Sequence, residues 1–230
     1  MLGVIGGTLL LGSDIIHELE EKVVSTKYGD VRCYVGDFVV LMRHGTNQEI
    51  PPHRVNHKAN IWALKMMGVE KVVSINSTGS LKEEIKPNSI LIPHDFVCFW
   101  DVPTFYEDRV HHALPEIDEE MRKRLIESAN GIGNVYENGV YVQTKGPRLE
   151  TKAEVRVLST FGDVVGMTFA SEATLCAEVG IPIASICSVD NYAHGIKGRI
   201  TMDEIFKSAK ANQQRILSVL NKYITRYPEG

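Results

Sequence analysis

Three short segments carry residue types suited to holding an anion, and each follows a run of apolar residues. Gly6-Gly7-Thr8 offers two residues without a Cβ, which let a bound group approach the backbone, and adds a hydroxyl donor. Arg43-His44-Gly45 brings a charged fork matched to phosphate oxygens, with the imidazole as a further donor. Asn76-Ser77-Thr78-Gly79-Ser80 reads as a turn of small polar residues at a strand's exit, where main-chain amides are free to face an anion. Each segment alone has an ordinary alternative: a tight turn, an exposed Arg beside a surface His, or a plain loop. Together they favour a phosphate site. The spacing is neither G-x-G-x-x-G nor G-x-x-x-x-G-K, so dinucleotide and P-loop readings fail.

These segments need strands to present them. Residues 38–42, 71–75, 89–92, 140–142, 164–165 and 181–186 are short runs rich in Val, Ile and Leu, the pattern of strands buried on both faces. Helical spacing alternates with them over 55–66, ended by Gly68, and over 118–129, 151–159 and 173–179. The last helix begins at Thr201-Met202-Asp203-Glu204, whose spacing is that of a capping box, and continues with Ile205, Phe206 and Ala209 on one stripe. The expectation is an α/β fold, a single domain over residues 1–230 with a mixed central sheet flanked by helices. Residues 100–112 read as a long loop.

Composition narrows the function. Lys+Arg 25 against Asp+Glu 29 gives a net charge of −4 with no basic cluster, so a nucleic-acid partner is not expected. The apolar runs are too short for a membrane span, and the start of the chain lacks the pattern of a secretory signal. Cys33, Cys98, Cys176 and Cys187 lie far apart without metal-ligand spacing; they read as reduced thiols, mostly buried, in a cytoplasmic protein. No metal site is expected.

Six motifs in order make the pattern recognisable: Gly-Gly-Thr, Arg-His-Gly, the segment 51–60 (Pro-Pro-His-Arg-Val-Asn-His-Lys-Ala-Asn), Asn-Ser-Thr-Gly-Ser, Gly146-Pro147-Arg148-Leu149-Glu150-Thr151, and Gly166-Met167-Thr168. The chain resembles the trimeric purine nucleoside phosphorylases, especially their methylthioadenosine phosphorylase branch, from Val4 to the last helix. The resemblance implies phosphate held by Thr8, Arg43, His44, the main chain at Ser77, and Thr168, with Met167 against the ribose. It also implies a homotrimer or a hexamer of paired trimers, in which His112 of a neighbouring subunit caps the 5′ pocket. Inorganic phosphate is then a co-substrate and no cofactor is needed. On this reading Arg43→Ala weakens phosphate handling and leaves the fold intact. One departure is Gln48, where the methylthioadenosine enzymes tend to carry a His.

The base-reading residues part from the adenine-specific branch. Where that branch places two Asp residues, this chain has Asn191 and Ala193, flanking Tyr192. An Asn can accept from N7–H and donate to a 6-oxo oxygen, which an ionised Asp cannot do. Leu149-Glu150-Thr151 resembles the Phe-Glu-Thr of phosphorylases acting on inosine and guanosine, with the Glu150 carboxylate accepting from N1–H. A solvated first-turn Glu is the alternative. At the sugar's 5′ end, Met202 stands where inosine phosphorylases resemble one another in using a His. With Ile205 it suits a methylthio group better than a hydroxyl, or it simply packs. Asn191, Arg43 and His44 are the residues expected to carry the chemistry, and the expected substrates are S-methyl-5′-thioinosine and phosphate. The alternatives are a methylthioadenosine phosphorylase, a broad inosine/guanosine phosphorylase, a water-using nucleosidase, or a non-catalytic purine-binding module.

Overall fold

A computed structural model describes residues 1–10, 13–16, 18–198 and 201–227; the side chains of Thr8, Asp14 and Met202 also lie outside the described set. Its strands are β1 (Leu2–Gly6), β2 (Glu20–Thr26), β3 (Gly29–Val35), β4 (Val39–Met42), β5 (Lys71–Ser80), β6 (Ser89–Leu91), β7 (Asp95–Cys98), β8 (Val135–Tyr136), β9 (Val140–Gln143), β10 (Val164–Gly166) and β11 (Ile183–Tyr192). The helices are α1 (His57–Met66), α2 (Glu119–Ala129), α3 (Lys152–Leu158), α4 (Phe169–Val179) and α5 (Met202–Arg226).

All the strands belong to one mixed sheet. Its main path runs β2-β3-β4-β1-β5-β10-β9-β7, and β11 pairs with both β5 and β6. β1 lies parallel to β4 and β5, and β5 lies parallel to β11, so the carboxyl ends of four strands open on the same edge. β10 runs antiparallel to β5 and brings Gly166 to that edge from the other direction. Ligands of α/β sheets bind at such an edge. The mixed sheet with flanking helices is the expected fold class.

Helices pack on both sides because the central strands are apolar on both faces. Ile61 and Leu64 of α1 and Phe169 and Leu175 of α4 join Ile5, Leu41 and Val72 in one buried cluster. Met121 and Leu125 of α2 and Ile216 and Leu220 of α5 join Val4, Val73 and Ile186 in another. Burying side chains of this size contributes roughly 1.5–3 kcal/mol each. Local signals set the helix starts. The Asn56 side chain accepts from the amide of Ala59, that of Asp118 accepts from the amide of Met121, and both Thr151–Glu154 and Thr201–Glu204 form reciprocal capping boxes. All four cysteines are free thiols, three buried and Cys98 partly so. None of the described helices is long and apolar enough to cross a membrane.

Three sequence expectations are corrected. Residues 76–80 are not a turn after a strand at 71–75: β5 runs unbroken to Ser80 and pairs with β11 throughout, so most of its amides serve the ladder. β11 likewise continues to Tyr192, past the end expected at 186. The polar side chains persist in the buried sheet because each finds a partner, as when the Thr78 hydroxyl donates to the Ser188 carbonyl at 2.8 Å. In addition, α4 starts at Phe169 rather than Ala173, because Phe169 packs on Tyr141 with ring centroids 5.4 Å apart. The β2–β3 hairpin and the short β7 and β8 were not foreseen.

Candidate active site

A cleft of about 290 Å³ opens at the shared carboxyl edge. Gly7, Arg43 and His44 line it from the ends of β1 and β4, Ser77, Thr78 and Gly79 from β5, Met167 and Thr168 from the junction of β10 and α4, and Asn191 and Ala193 from β11. Leu149 and Glu150 close a further side, and Ile205, Phe206 and Ala209 of α5 give it an apolar wall. The expected phosphate, ribose and base residues therefore share one cavity, apart from those named next.

Tyr192 is the exception among the described side chains. On a strand, neighbours face opposite ways, and Tyr192 accordingly lines a separate cleft, its hydroxyl donating to the Glu83 carbonyl at 3.2 Å. The side chains of Thr8 and Met202 lie outside the described set. His112 is exposed in the 100–112 loop and does not line the cleft of its own chain.

Arg43 differs most from expectation. It is 3% exposed, and protein acceptors surround its guanidinium. Nη1 donates to Asn76 Oδ1 at 2.8 Å and Thr168 Oγ1 at 2.9 Å. Nη2 faces the carbonyls of Ile5 and Ile75, both at 2.9 Å, and Ser74 Oγ at 3.1 Å. Nε lies 2.9 Å from Glu172 Oε1, an ion pair between two buried side chains. Glu172 is 1% exposed. Burial raises its carboxyl pKa, opposed by Arg43 and by the Ser74 hydroxyl. The fork is thus a buried, compensated group in the floor of the cleft, rather than an open clamp, and the Thr168 hydroxyl is likewise spent on Asn76 Oδ1 at 3.1 Å.

His44 is also not a simple donor. Its Nδ1 sits 2.8 Å from the Ile50 carbonyl, a partner that can only accept, so Nδ1 carries the proton. Burial and the neighbouring Arg43 push its pKa down to about 4, which leaves the ring neutral at pH 7 and Nε2 a bare acceptor. Nε2 can then take the hydrogen of a protonated phosphate. Gly7 sits so close that a Cβ there would lie 3.3 Å from His44 Cδ2. Gln48, also in the wall, holds a positive φ of 57°, a conformation that a residue with a Cβ adopts at a cost of about 1–2 kcal/mol.

Asn191 donates from Nδ2 to the Tyr192 carbonyl at 2.9 Å, which leaves a second amide hydrogen and Oδ1 for a ligand. Glu150 accepts from the Thr144 hydroxyl through Oε1 at 2.6 Å, which fixes the carboxyl at the cleft. Sequence reasoning missed Ser74 and Glu172, and placed Asn76 toward an anion where it in fact joins them in holding Arg43. It also missed Asp190, which accepts from the hydroxyls of Ser77 and Ser188. An acid between small and apolar residues in a run read as buried is the signal that marks Glu172 and Asp190.

This geometry accords with the comparisons to known proteins. The model of the Phosphorylase superfamily matches residues 2–225. A probable 6-oxopurine nucleoside phosphorylase of Archaeoglobus fulgidus is 42% identical over 98% of this chain and 96% of its own length. A probable S-methyl-5′-thioinosine phosphorylase of Methanocaldococcus jannaschii is 40% identical over 97% and 92%. Among solved structures, a variant of the adenosine/methylthioadenosine phosphorylase of Schistosoma mansoni in complex with methylthioadenosine superposes with a TM-score of 0.89 at 26% identity, covering 98% of this chain and 90% of that one. With relatives aligned end to end and the family match running through every element that builds the cleft, the chain belongs to the phosphorylase superfamily.

Proposed function

We propose that this enzyme cleaves S-methyl-5′-thioinosine with inorganic phosphate, giving hypoxanthine and 5-methylthioribose 1-phosphate. The observation that carries the reading is that one cleft gathers all of these groups. Arg43, His44, Ser77 and Thr168, suited to phosphate, line it together with Met167 for the ribose, Asn191 and Glu150 for the base, and the apolar side chains Ile205, Phe206 and Ala209. The relatives named for 6-oxopurine and methylthioinosine substrates support it.

The glycosidic C1′–N9 bond breaks as a phosphate oxygen bonds to C1′ through an oxocarbenium-like state. The bond's electron pair passes to the purine, whose growing negative charge reaches O6. The free Asn191 amide hydrogen stabilises that charge; a solvent proton adds to N7 as the bond breaks, so the base leaves as neutral hypoxanthine, and Oδ1 accepts from the N7–H so formed, contacts that strengthen in the transition state. Glu150 accepts from N1–H, which a 6-oxopurine has and an adenine lacks. Holding phosphate beside the sugar can be worth roughly 7–11 kcal/mol of the barrier. A phosphate at His44 meets the neutral Nε2 first and draws on Arg43 from beneath. No resident cofactor enters this scheme.

Phe99 and Phe161 meet edge to face on the surface with centroids 4.9 Å apart, and Trp100, Val110, Leu114 and Val157 are also exposed. An apolar face of this kind favours a homo-oligomer, a trimer or hexamer in which His112 reaches a neighbour's cleft. A cytoplasmic place accords with the free thiols. Phosphorus NMR of the reaction mixture tests the reading: a sugar 1-phosphate signal must grow with released hypoxanthine. Base release at the same rate in phosphate-free buffer makes the enzyme a hydrolase and overturns it.

A further inference from the structure

Asp190 is 2% exposed and lies where the register of β11 on β5 slips: Val189 pairs with Thr78 and Asn191 with Gly79, so Asp190 is the extra residue of a bulge. Bulges re-aim a side chain. Here the carboxyl reaches Ser77, an exposed residue of the cleft wall, and Ser188.

The direction of this network is fixed from one end. Arg215 can only donate, and Nη1 gives its hydrogen to Asn212 Oδ1 at 3.0 Å. The buried Asn212 therefore turns Nδ2 to Ser188 Oγ at 2.9 Å. Ser188 passes its own hydrogen to Asp190 Oδ1. That leaves Oδ2 as the oxygen able to take up a proton, and Oδ2 is the atom that accepts from Ser77.

We infer that Asp190 is a positioning residue that sets whether the Ser77 hydroxyl points its hydrogen inward or offers it to an anion in the cleft; this rests on the reading that phosphate occupies that cleft. With Asp190 ionised, Ser77 spends its hydrogen on Oδ2 and shows lone pairs to the cleft. With Oδ2 protonated, the acid donates to Ser77 Oγ, and the Ser77 hydrogen turns outward as an anion donor. Other groups near the carboxyl are Cys187 on β11, Lys197 in the following loop, and Glu204 and Lys207 of α5, the last three lining the cleft that Asp190 shares behind the strand. Burial pushes the Asp190 pKa up to about 6, against the pull of Ser188, Ser77 and Asn212, so both states are within reach near neutrality. An anion bound at Ser77 favours the protonated state, and so anion binding and proton uptake at Asp190 are coupled.

Sulfate, which does not titrate between pH 5 and 8, is the probe. Asp190→Asn keeps the shape and must face Ser77 with its amide nitrogen, because Ser188 requires an acceptor. Calorimetry should give sulfate a Kd in the unmodified enzyme about tenfold weaker than in Asp190→Asn at pH 8, with the two converging by pH 5. In a Ser77→Ala background, Asp190→Asn should change nothing. A Kd ratio that stays flat with pH, or sulfate bound more weakly by Asp190→Asn throughout, overturns the inference, and if nucleoside turnover with phosphate is normal it overturns this alone. An unmodified enzyme that binds no sulfate and turns over no nucleoside overturns the phosphate reading together with it.

Discussion

Replacing Arg43 by Ala separates a buried structural pair from an exposed ligand clamp, and the two predict losses of different size. An exposed Arg on the cleft surface would change stability by less than about 0.5 kcal/mol when truncated. Arg43 instead compensates Glu172 at 2.9 Å, with both side chains at most 2% exposed. Removing one member of such a pair costs about 3–5 kcal/mol, because the other is left charged in the interior. For a 230-residue chain, at roughly 2–4 °C per kcal/mol, Tm should fall by about 6–20 °C at pH 8. The loss should shrink as pH falls. Burial already raises the Glu172 carboxyl, and without Arg43 it rises further, so acid lets the orphaned group take up a proton and lose its charge. Scanning calorimetry at pH 8 and pH 5.5 measures both effects. Arg43→Met combined with Glu172→Gln should recover much of the stability while phosphate KM stays high. An Arg43→Ala variant whose Tm stays within about 2 °C of the parent at pH 8 would refute the buried-pair account.

Other outcomes follow from the same geometry. Asn191→Ala should lower kcat as well as affinity, and Glu150→Ala should narrow the preference for 6-oxopurines over adenines, which mismatched hydrogen-bonding groups can set at up to about 10⁴–10⁵; initial rates on paired substrates check both. Thr201→Ala removes the cap of α5 and should cost about 0.5–2 kcal/mol in denaturant unfolding, with a rise in nucleoside KM because α5 forms a wall of the cleft. Asp190 has a folded pKa of about 6, above the ordinary carboxyl value, so the fold holds the extra proton. Its contribution to stability is full below about pH 4 and declines by roughly 3 kcal/mol as pH rises to about 6. Asp190→Asn should therefore melt higher than the parent at pH 8 and at the same temperature near pH 4.

The sequence carried the residue types of the site and the identity of most of the elements that deliver them. Arg43 and His44 could be named because their motif follows an apolar run, and Met167, Thr168, Glu150 and Asn191 because their motifs resemble those of a known family; all six line one cleft. What those groups do to one another was not legible. Glu172 sits in an apolar helix 129 residues after Arg43, and no local pattern links the two, so the guanidinium read as free. Ending β5 and β11 early hid the alternation that turns Tyr192 away from Asn191 and Ala193, and it hid the bulge at Asp190. Small polar residues stay in these strands through side-chain partners across the sheet, a tertiary effect that turn propensity cannot anticipate. The β2–β3 hairpin escaped notice because, at the sheet edge, it buries few of its side chains.

The central claim rests on base choice, and the ratio of kcat/KM for S-methyl-5′-thioinosine to that for S-methyl-5′-thioadenosine, at saturating phosphate, tests it most directly. A 6-oxopurine presents N1–H to Glu150 and O6 to the Asn191 amide, whereas an adenine presents an unpaired N1 and an amino donor. The ratio should exceed about 100, and Asn191→Asp with Glu150→Ser should bring it down. A ratio below one would contradict the account.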